Sequence, residues 1–150
     1  MASNITGIYN AIAAWVVTFD SDVTLKVWNY SAVKEALPSA SAPIRILMPT
    51  EGPGTGFAFI ALGKLNKITW NITDLCLIKP VAQGDGIASE AEHIVQYAEA
   101  YHTAMHNGRA VTASSIIAGG SITPGVYEWN GVAYYGVKCV VEVTEYVSAA

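Results

Sequence analysis

The feature that most restricts the fold is an alternation of side-chain types in the last third of the sequence. Residues 132–147 form a long β-rich run, and successive residues of a strand point to opposite faces. Asn130 and Gly131, just before this run, favour a tight type I′ turn, and residues 125–129 suit the strand that precedes the turn. The pattern therefore predicts a long hairpin with one buried face. That face carries Ala133, Tyr135, Val137, Cys139, Val141 and Val143, and the opposite face carries Tyr134, Lys138, Glu142 and Thr144.

Two segments have the periodicity of amphipathic helices. In residues 5–19 apolar side chains recur at the spacing of one helix face, with Ser3 or Asn4 available as the N-cap. The second helix is predicted to open at a capping box of Ser89 and Glu92 and to close at Asn107 and Gly108. Its predicted buried stripe consists of Ala91, Ile94, Val95, Ala98, Tyr101, His102 and Met105.

The rest of the sequence is predicted to be mostly strands. Residues 23–30, 44–48, 57–62, 68–78 and 114–117 are rich in β-branched and aromatic residues, residues 63–66 are a hairpin connection, and residues 31–37 suit a short helical turn. We therefore expect one α+β domain over residues 1–150, with a mainly antiparallel sheet and two principal helices packed on one face. The predicted core joins Trp15, Ile94, Tyr101, Val137 and Val141.

Low charge is the property of the composition that bears most on function. Charged residues make up 13% of the chain, about half of the roughly 25% that is usual in soluble domains. No apolar run reaches the length of about 20 residues that a membrane-spanning helix needs, so we expect no membrane association. Contact with other proteins explains the deficit better, because interface centres are poor in charge and rich in aromatic residues. Four Trp and eight Tyr agree with this interpretation.

Binding of duplex nucleic acid is disfavoured by the net charge of −4, because such binding depends on Lys and Arg neutralising phosphates. The eight basic residues are scattered along the chain, which leaves only a local basic lining as an alternative. Cys76 and Cys139 lie in apolar runs and are predicted to be buried free thiols in a reducing cytoplasm.

Catalytic motifs are weak throughout. The sequence has no nucleophile elbow and no Cys with a plausible His partner nearby, and the pairs Asp20/Asp22 and Glu90/Glu92 are explained by turns and helix starts. His102 and His106 are one turn apart on the second helix with Glu99 and His93 nearby, but a packed His102 with two surface histidines is favoured over a metal site. We therefore predict no enzyme activity, no metal and no cofactor.

A glycine-rich segment is the candidate interface site. It consists of Thr50, Glu51, Gly52, Pro53, Gly54, Thr55 and Gly56. A phosphate-binding loop would require a Gly-Lys-Ser/Thr ending that leads into a helix, which this segment lacks. Ordering three glycines is entropically costly, so we expect the segment to become ordered on docking to a neighbouring protein.

Taken together, these elements resemble the tail terminator proteins of long-tailed bacteriophages. The resemblance lies in the first helix, a middle strand at residues 68–75, a helix at residues 91–105 with Tyr97, Ala98 and Tyr101 in its middle, and a hairpin at residues 125–136 that runs into residues 140–145. It spans most of the chain and rests on elements and hydrophobic positions. The glycine-rich segment at residues 50–56 has no counterpart in that pattern.

The resemblance implies a protomer that forms a ring, usually hexameric, on the head-facing end of the finished tail tube. Its partners would be further copies of the chain, the tail tube protein and the connector or stopper of the head, with DNA only passing through. Its location would be the virion neck, after assembly in the host cytoplasm. The alternatives are another neck component, such as the stopper or connector itself, and a small α+β enzyme or ligand-binding domain with a pocket between helices and sheet.

Overall fold

The computed structural model describes residues 3–18, 25–30, 43–48, 56–62, 65–83 and 87–148. In these residues one α+β domain contains two helices and a seven-stranded sheet. The helices are α1 (Ile5–Ala13) and α2 (Ile87–Asn107), and a turn of 3-10 helix spans Val81–Gln83. The strands are β1 (Lys26–Trp28), β2 (Ile44–Met48), β3 (Gly56–Leu62), β4 (Leu65–Pro80), β5 (Ala110–Thr112), β6 (Ser115–Trp129) and β7 (Val132–Ser148).

The sheet is organised around the long ladder between β4 and β7, which runs from the pair Leu65 and Ser148 to the pair Pro80 and Tyr134. The other edge of β4 is shared, because β3 pairs with its first half and β2 with its second half. β6 pairs along β7, and β5 pairs with the start of β6. Every pairing is antiparallel except that of β1 with β2, which is parallel, so the sheet is mixed and not purely antiparallel.

The predicted hairpin is confirmed. Asn130 and Gly131 both have positive φ, 49° and 79°, as a type I′ turn requires, and they join β6 directly to β7. The two strands predicted at residues 114–117 and 125–129 are in fact one, because β6 runs unbroken through the glycines between them. A register shift between Ile117 and Gly119 accommodates one extra residue there. β5 was not predicted.

Helix α1 starts as predicted but ends early. Asn4 is the N-cap, and its side chain accepts a hydrogen bond from the amide of Gly7 at 3.2 Å. The helix ends at Ala13, whereas the prediction extended it to Phe19, which lies outside the described residues. The β-branched run Val16, Val17 and Thr18 follows the end, and such residues lose rotamer freedom in a helix.

Helix α2 begins two residues before Ser89, so the predicted capping box is wrong, but its predicted end at Asn107 is correct. Its buried face also differs from the predicted stripe. Ile94, Tyr97 and Tyr101 are buried, whereas Ala91, Val95 and His102 are exposed. Ile94 and Tyr101 are therefore buried as predicted, but the stripe is rotated around the helix because Tyr97, which was not predicted to be buried, joins the apolar cluster with them.

Both helices pack into one apolar cluster on the same face of the sheet. The cluster includes Ile8 and Ile12 of α1, Ile94 and Tyr97 of α2, and Val137 and Val141 of β7 on the face predicted to be buried. Of the five predicted core residues, all belong to this cluster, with Trp15 partly buried. The opposite face is not simply solvated, because Ile44, Ile46, Leu77 and Tyr134 form a second buried cluster there.

Candidate functional site

The C-terminus of α1 is held by a buried arginine of the sheet. Arg45 of β2 has no exposed surface, and its guanidinium donates hydrogen bonds to the carbonyl oxygens of Ile12 at 3.1 Å and Trp15 at 2.8 Å. Carbonyls at a helix end lack intrahelical partners, and a cation there also interacts favourably with the negative end of the helix dipole. Arg45 therefore provides hydrogen-bond donors for the carbonyls at the end of α1, and its positive charge is favourable at the negative end of the helix dipole.

Asp74 of β4 is the counter-ion of Arg45. Nη2 of Arg45 lies 2.6 Å from Oδ2 of Asp74, and neither side chain is exposed. The hydroxyl of Tyr101 donates a second hydrogen bond to the same oxygen at 2.8 Å, and the guanidinium lies 5.8 Å from the centre of the Tyr101 ring. Burial by itself would lower the pKa of Arg45, but Asp74, together with Tyr97 and Tyr101, outweighs this and raises the pKa, so the guanidinium stays charged.

The tyrosines and thiols around this ion pair are held neutral. Burial raises the pKa of Tyr97 and Tyr101 well above their ordinary values, and the charge of Asp74 raises both further. Burial also raises the pKa of the Cys76 and Cys139 thiols far above the usual range. Both cysteines are free and buried, as predicted, so neither is a reactive thiolate in the folded chain.

The N-terminus of α1 is held by a buried carboxylate. Glu145 of β7 has no exposed surface and accepts hydrogen bonds from the hydroxyl of Ser3 and the amide of Asn4, both at 2.7 Å. The indole N–H of Trp70 in β4 donates a third, at 3.2 Å. A carboxylate at a helix N-terminus is favourable because unpaired amides and the helix dipole both attract it. Glu145 thus fastens the start of α1 to the centre of the sheet.

A third acidic group lies near the start of α2. Glu90 is nearly buried, and its carboxylate oxygens lie 3.0 Å from Nδ1 of His93 and 3.8 Å from Nζ of Lys79. The side chains of Lys79 and His93 are 40% and 37% exposed, so these contacts contribute little to stability in water. They position the first turns of α2 beside the end of β4.

Two shallow grooves lie along α2. One, of about 340 Å³, runs between α2 and the segment after α1, and is lined by Val16, Gln96, Glu99, Ala100 and Thr103 among others. The other, of about 330 Å³, lies between the end of α2 and β6 and is lined by His102, Met105, His106, Arg109 and residues 117–120. Arg109 lies just beyond the C-terminus of α2, a position where the helix dipole favours positive charge.

Among the residues that the structure describes, the histidines are not grouped as ligands of a metal ion. His102 and His106 are both exposed, which corrects the prediction that His102 is packed, while His93 is paired with Glu90 two turns away. Within residues 3–18, 25–30, 43–48, 56–62, 65–83 and 87–148, no group of three or more His, Cys, Asp or Glu side chains is placed to hold a metal ion. In the same residues, neither helix is long and apolar enough to cross a bilayer.

Several large apolar side chains are exposed on the sheet and on the helix side. They are Val16, Tyr30, Leu65, Val95, Ile116, Val126, Val132 and Tyr146, with exposed fractions from 40% to 86%. Four of them lie on the hairpin of β6 and β7, namely Ile116, Val126, Val132 and Tyr146.

The candidate interface segment is only partly described. Residues 50–55 lie outside the described residues, and Gly56 is the first residue of β3, paired with Asn71. Asp20 and Asp22 and the predicted turn at residues 31–37 also lie outside them.

Sequence reasoning missed Arg45, Asp74 and Glu145 as a set. The available signal was that each interrupts an otherwise apolar or alternating strand.

The amino-acid sequence matches no protein-family model and no curated protein.

Proposed function

We propose that this chain is a structural protein of a bacteriophage neck, a ring-forming terminator at the head-proximal end of the tail tube. The observation that carries the proposal is the distribution of charge. Three charged residues are buried where they hold α1 against the sheet, namely Arg45, Asp74 and Glu145. Exposed apolar side chains lie on the hairpin and beside α2. A surface of that kind is suited to lasting contact with other proteins.

In this role, copies of the chain assemble head to tail into a closed ring, expected to be a hexamer, on the last ring of tube subunits. The ring stops further addition of tube protein and presents its other side to the connector or stopper of the head. DNA passes through the ring as cargo and is not read. The segment at residues 50–56 remains a predicted contact with a neighbouring subunit or with the tube.

A ligand-binding domain or enzyme is the second candidate from a different class. The buried cluster of Arg45, Asp74 and Tyr101 is the group that resembles a catalytic constellation most. All three side chains are completely buried, so a substrate has no access to them in this conformation. Their hydrogen bonds to the helix carbonyls and to one another also give them a structural role.

The deciding experiment is to remove the protein from assembling phage particles and to image the products by electron microscopy. A terminator predicts tails of abnormal length or finished tails that fail to join heads. A stopper or connector predicts tails of normal length with heads that leak DNA. Particles of normal form and infectivity would contradict a role in the neck altogether.

A further inference from the structure

The outer edge of β6 is open over most of its length. One edge of β6 pairs with β7 along the whole strand. On the other edge β5 pairs only with Ser115 and Ile116, and the amide of Ile117 donates to the carbonyl of Arg109. In the part of the chain that the structure describes, no strand pairs with residues 118–128 on this edge.

The turn determines which backbone groups face the open edge. In a two-residue hairpin the residues on either side of the turn, here Trp129 and Val132, form a hydrogen-bonded pair, and such pairs alternate along the ladder. The register is continuous from Gly119 to Trp129, so every second residue turns its backbone groups outward. These residues are Gly120, Ile122, Pro124, Val126 and Glu128. Pro124 has no N–H, and it occupies an outward position where the ladder to β7 loses nothing.

The unpaired backbone groups of an exposed edge strand can pair with a strand of another chain. Proteins protect free edges with charged residues, especially Lys, or with Pro and bulges. Residues 118–128 contain no Lys or Arg, and Glu128 is their single charged residue. Pro124 and the register shift near Ile117 interrupt the edge but leave outward amides at Gly120, Ile122 and Val126. The surface is therefore a template for another strand.

We propose that this edge pairs with β3 of a second copy of the chain, so that one sheet continues from protomer to protomer around the ring. This inference rests on the proposed ring function. β3 pairs with β4 through one edge, and no described strand pairs with its other edge. It has seven residues and no charged side chain, and residues 118–128 are long enough to take all of it.

Strand direction supports this occupant. β6 and β4 are both antiparallel to β7 and so run in the same direction, whereas β3 is antiparallel to β4 and runs against β6. Rotation about an axis along the strands preserves direction, so β6 of one copy meets β3 of the next in antiparallel register. A heterologous contact of this type closes into a ring when its rotation is a whole fraction of a full turn. Pairing of β6 with β6 about a two-fold axis would instead give a dimer.

Replacing Val126 tests the contact, because its outward amide is needed only by a neighbouring strand. Val126→Pro should keep the melting temperature within a few degrees and lower the yield of rings on tube ends at least tenfold. Should Val126→Pro fail to fold, Val126→Lys places a charge at the edge, with Val132→Lys on β7 as its control, since both valines are exposed. Rings at wild-type yield with a folded Val126 variant would overturn the pairing and leave the ring function standing.

Cysteine cross-linking identifies the occupant. The native cysteines are buried, so a new disulfide reports only on the introduced residues. Val126→Cys combined with Ala58→Cys or Ile60→Cys in β3 should give a ladder of covalent oligomers under mild oxidation, and Val126→Cys alone should not. Dimers from Val126→Cys alone, a cross-link to tube protein, or no ladder from either pair while rings form would each overturn the proposal. A wild-type chain that stays monomeric with tube ends present would overturn the ring function itself.

Discussion

Arg45 and Glu145, two buried charges on different strands of the sheet, bind opposite ends of helix α1. The guanidinium donates hydrogen bonds to carbonyls at the C-terminal end. The carboxylate accepts hydrogen bonds from an amide and a hydroxyl at the N-terminal end. Each charge has the sign that the helix dipole favours at its position. A helix of nine residues is too short to be stable alone, so these two contacts and the apolar face of the helix hold it in place.

Replacing Glu145 with Gln should lower the free energy of unfolding by about 1.5–3 kcal/mol, the range for hydrogen bonds to a charged group. The amide keeps one acceptor oxygen but turns an N–H₂ group toward the donors that the second carboxylate oxygen now binds. Urea unfolding measures the change. Glu142→Gln, on the same strand but exposed, is the matched control and should stay within about 0.5 kcal/mol of wild type. Equal effects from the two variants would show that Glu145 does not anchor the helix.

Breaking the Arg45 and Asp74 pair from one side should cost about 3–5 kcal/mol, because the remaining charge is buried without its partner. Asp74→Asn and Arg45→Met are the single variants, and the double variant completes a thermodynamic cycle. We expect the double variant to recover only part of the loss, since the carbonyls of Ile12 and Trp15 no longer receive the guanidinium hydrogen bonds, and Ile12 keeps only the amide of Trp15 as donor. Full recovery would mean that Arg45 serves only the ion pair.

Two glycines of the hairpin should respond oppositely to a methyl group. A Cβ at Gly136 would collide with the carbonyl oxygen of Cys76 on β4, whereas a Cβ at Gly119 meets nothing within 4 Å. Gly136→Ala should therefore destabilise the fold by about 1–3 kcal/mol by forcing β4 and β7 apart. Gly119→Ala should be neutral or stabilising by up to about 1 kcal/mol, because it restricts the unfolded chain. Thermal unfolding of the two variants checks this, and a tolerated Gly136→Ala would mean that the ladder is locally compliant.

The chain should lose stability at alkaline pH. The pKa values of Cys76, Cys139, Tyr97 and Tyr101 are raised in the folded state, mainly by burial. Above its ordinary pKa each group releases a proton on unfolding, so the folded state binds more protons and stability falls as pH rises. The thiols begin to lower the free energy of unfolding near pH 8.5 and the tyrosines near pH 10. Each group lowers it by about 1.4 kcal/mol per pH unit above that point.

Urea titrations between pH 7 and pH 11 measure this loss. The double variant Cys76→Ala and Cys139→Ala should delay its onset to the range where the tyrosines ionise. A stability that is flat from pH 8 to pH 10 in the wild-type chain would contradict the burial of the thiols.

The sequence predicted the elements whose patterns are local. The start of α1, the whole of β2 and the turn at Asn130 and Gly131 depend on residues within a few positions of one another, and all three are confirmed. Features that depend on distant contacts were predicted less well. Besides the β-branched residues that follow it, the end of α1 depends on Arg45, and the buried face of α2 depends on the packing of Tyr97 in the apolar cluster.

The sequence pattern also could not predict the contacts of the buried charges, because their partners are distant along the chain. Arg45 and Asp74 are 29 positions apart, and Asn4 and Glu145 are 141 apart, so neither contact leaves a periodic trace. Each charged residue does interrupt a strand of apolar residues, which indicates a buried partner without identifying it. The candidate contact at residues 50–56 rests on composition alone and stays a prediction.

The contact between Asn4 and Glu145 has a consequence for synthesis in the cell. At a translation rate of 5–20 residues per second, the anchor of the first helix is made roughly 7–28 s after the helix itself. The ladder of β4 and β7 imposes a delay about half as long, because β7 begins over sixty residues after β4 begins. A nascent chain therefore carries unpaired apolar strands throughout that interval. Its yield in a living host should depend on chaperones more than the small size of the domain suggests.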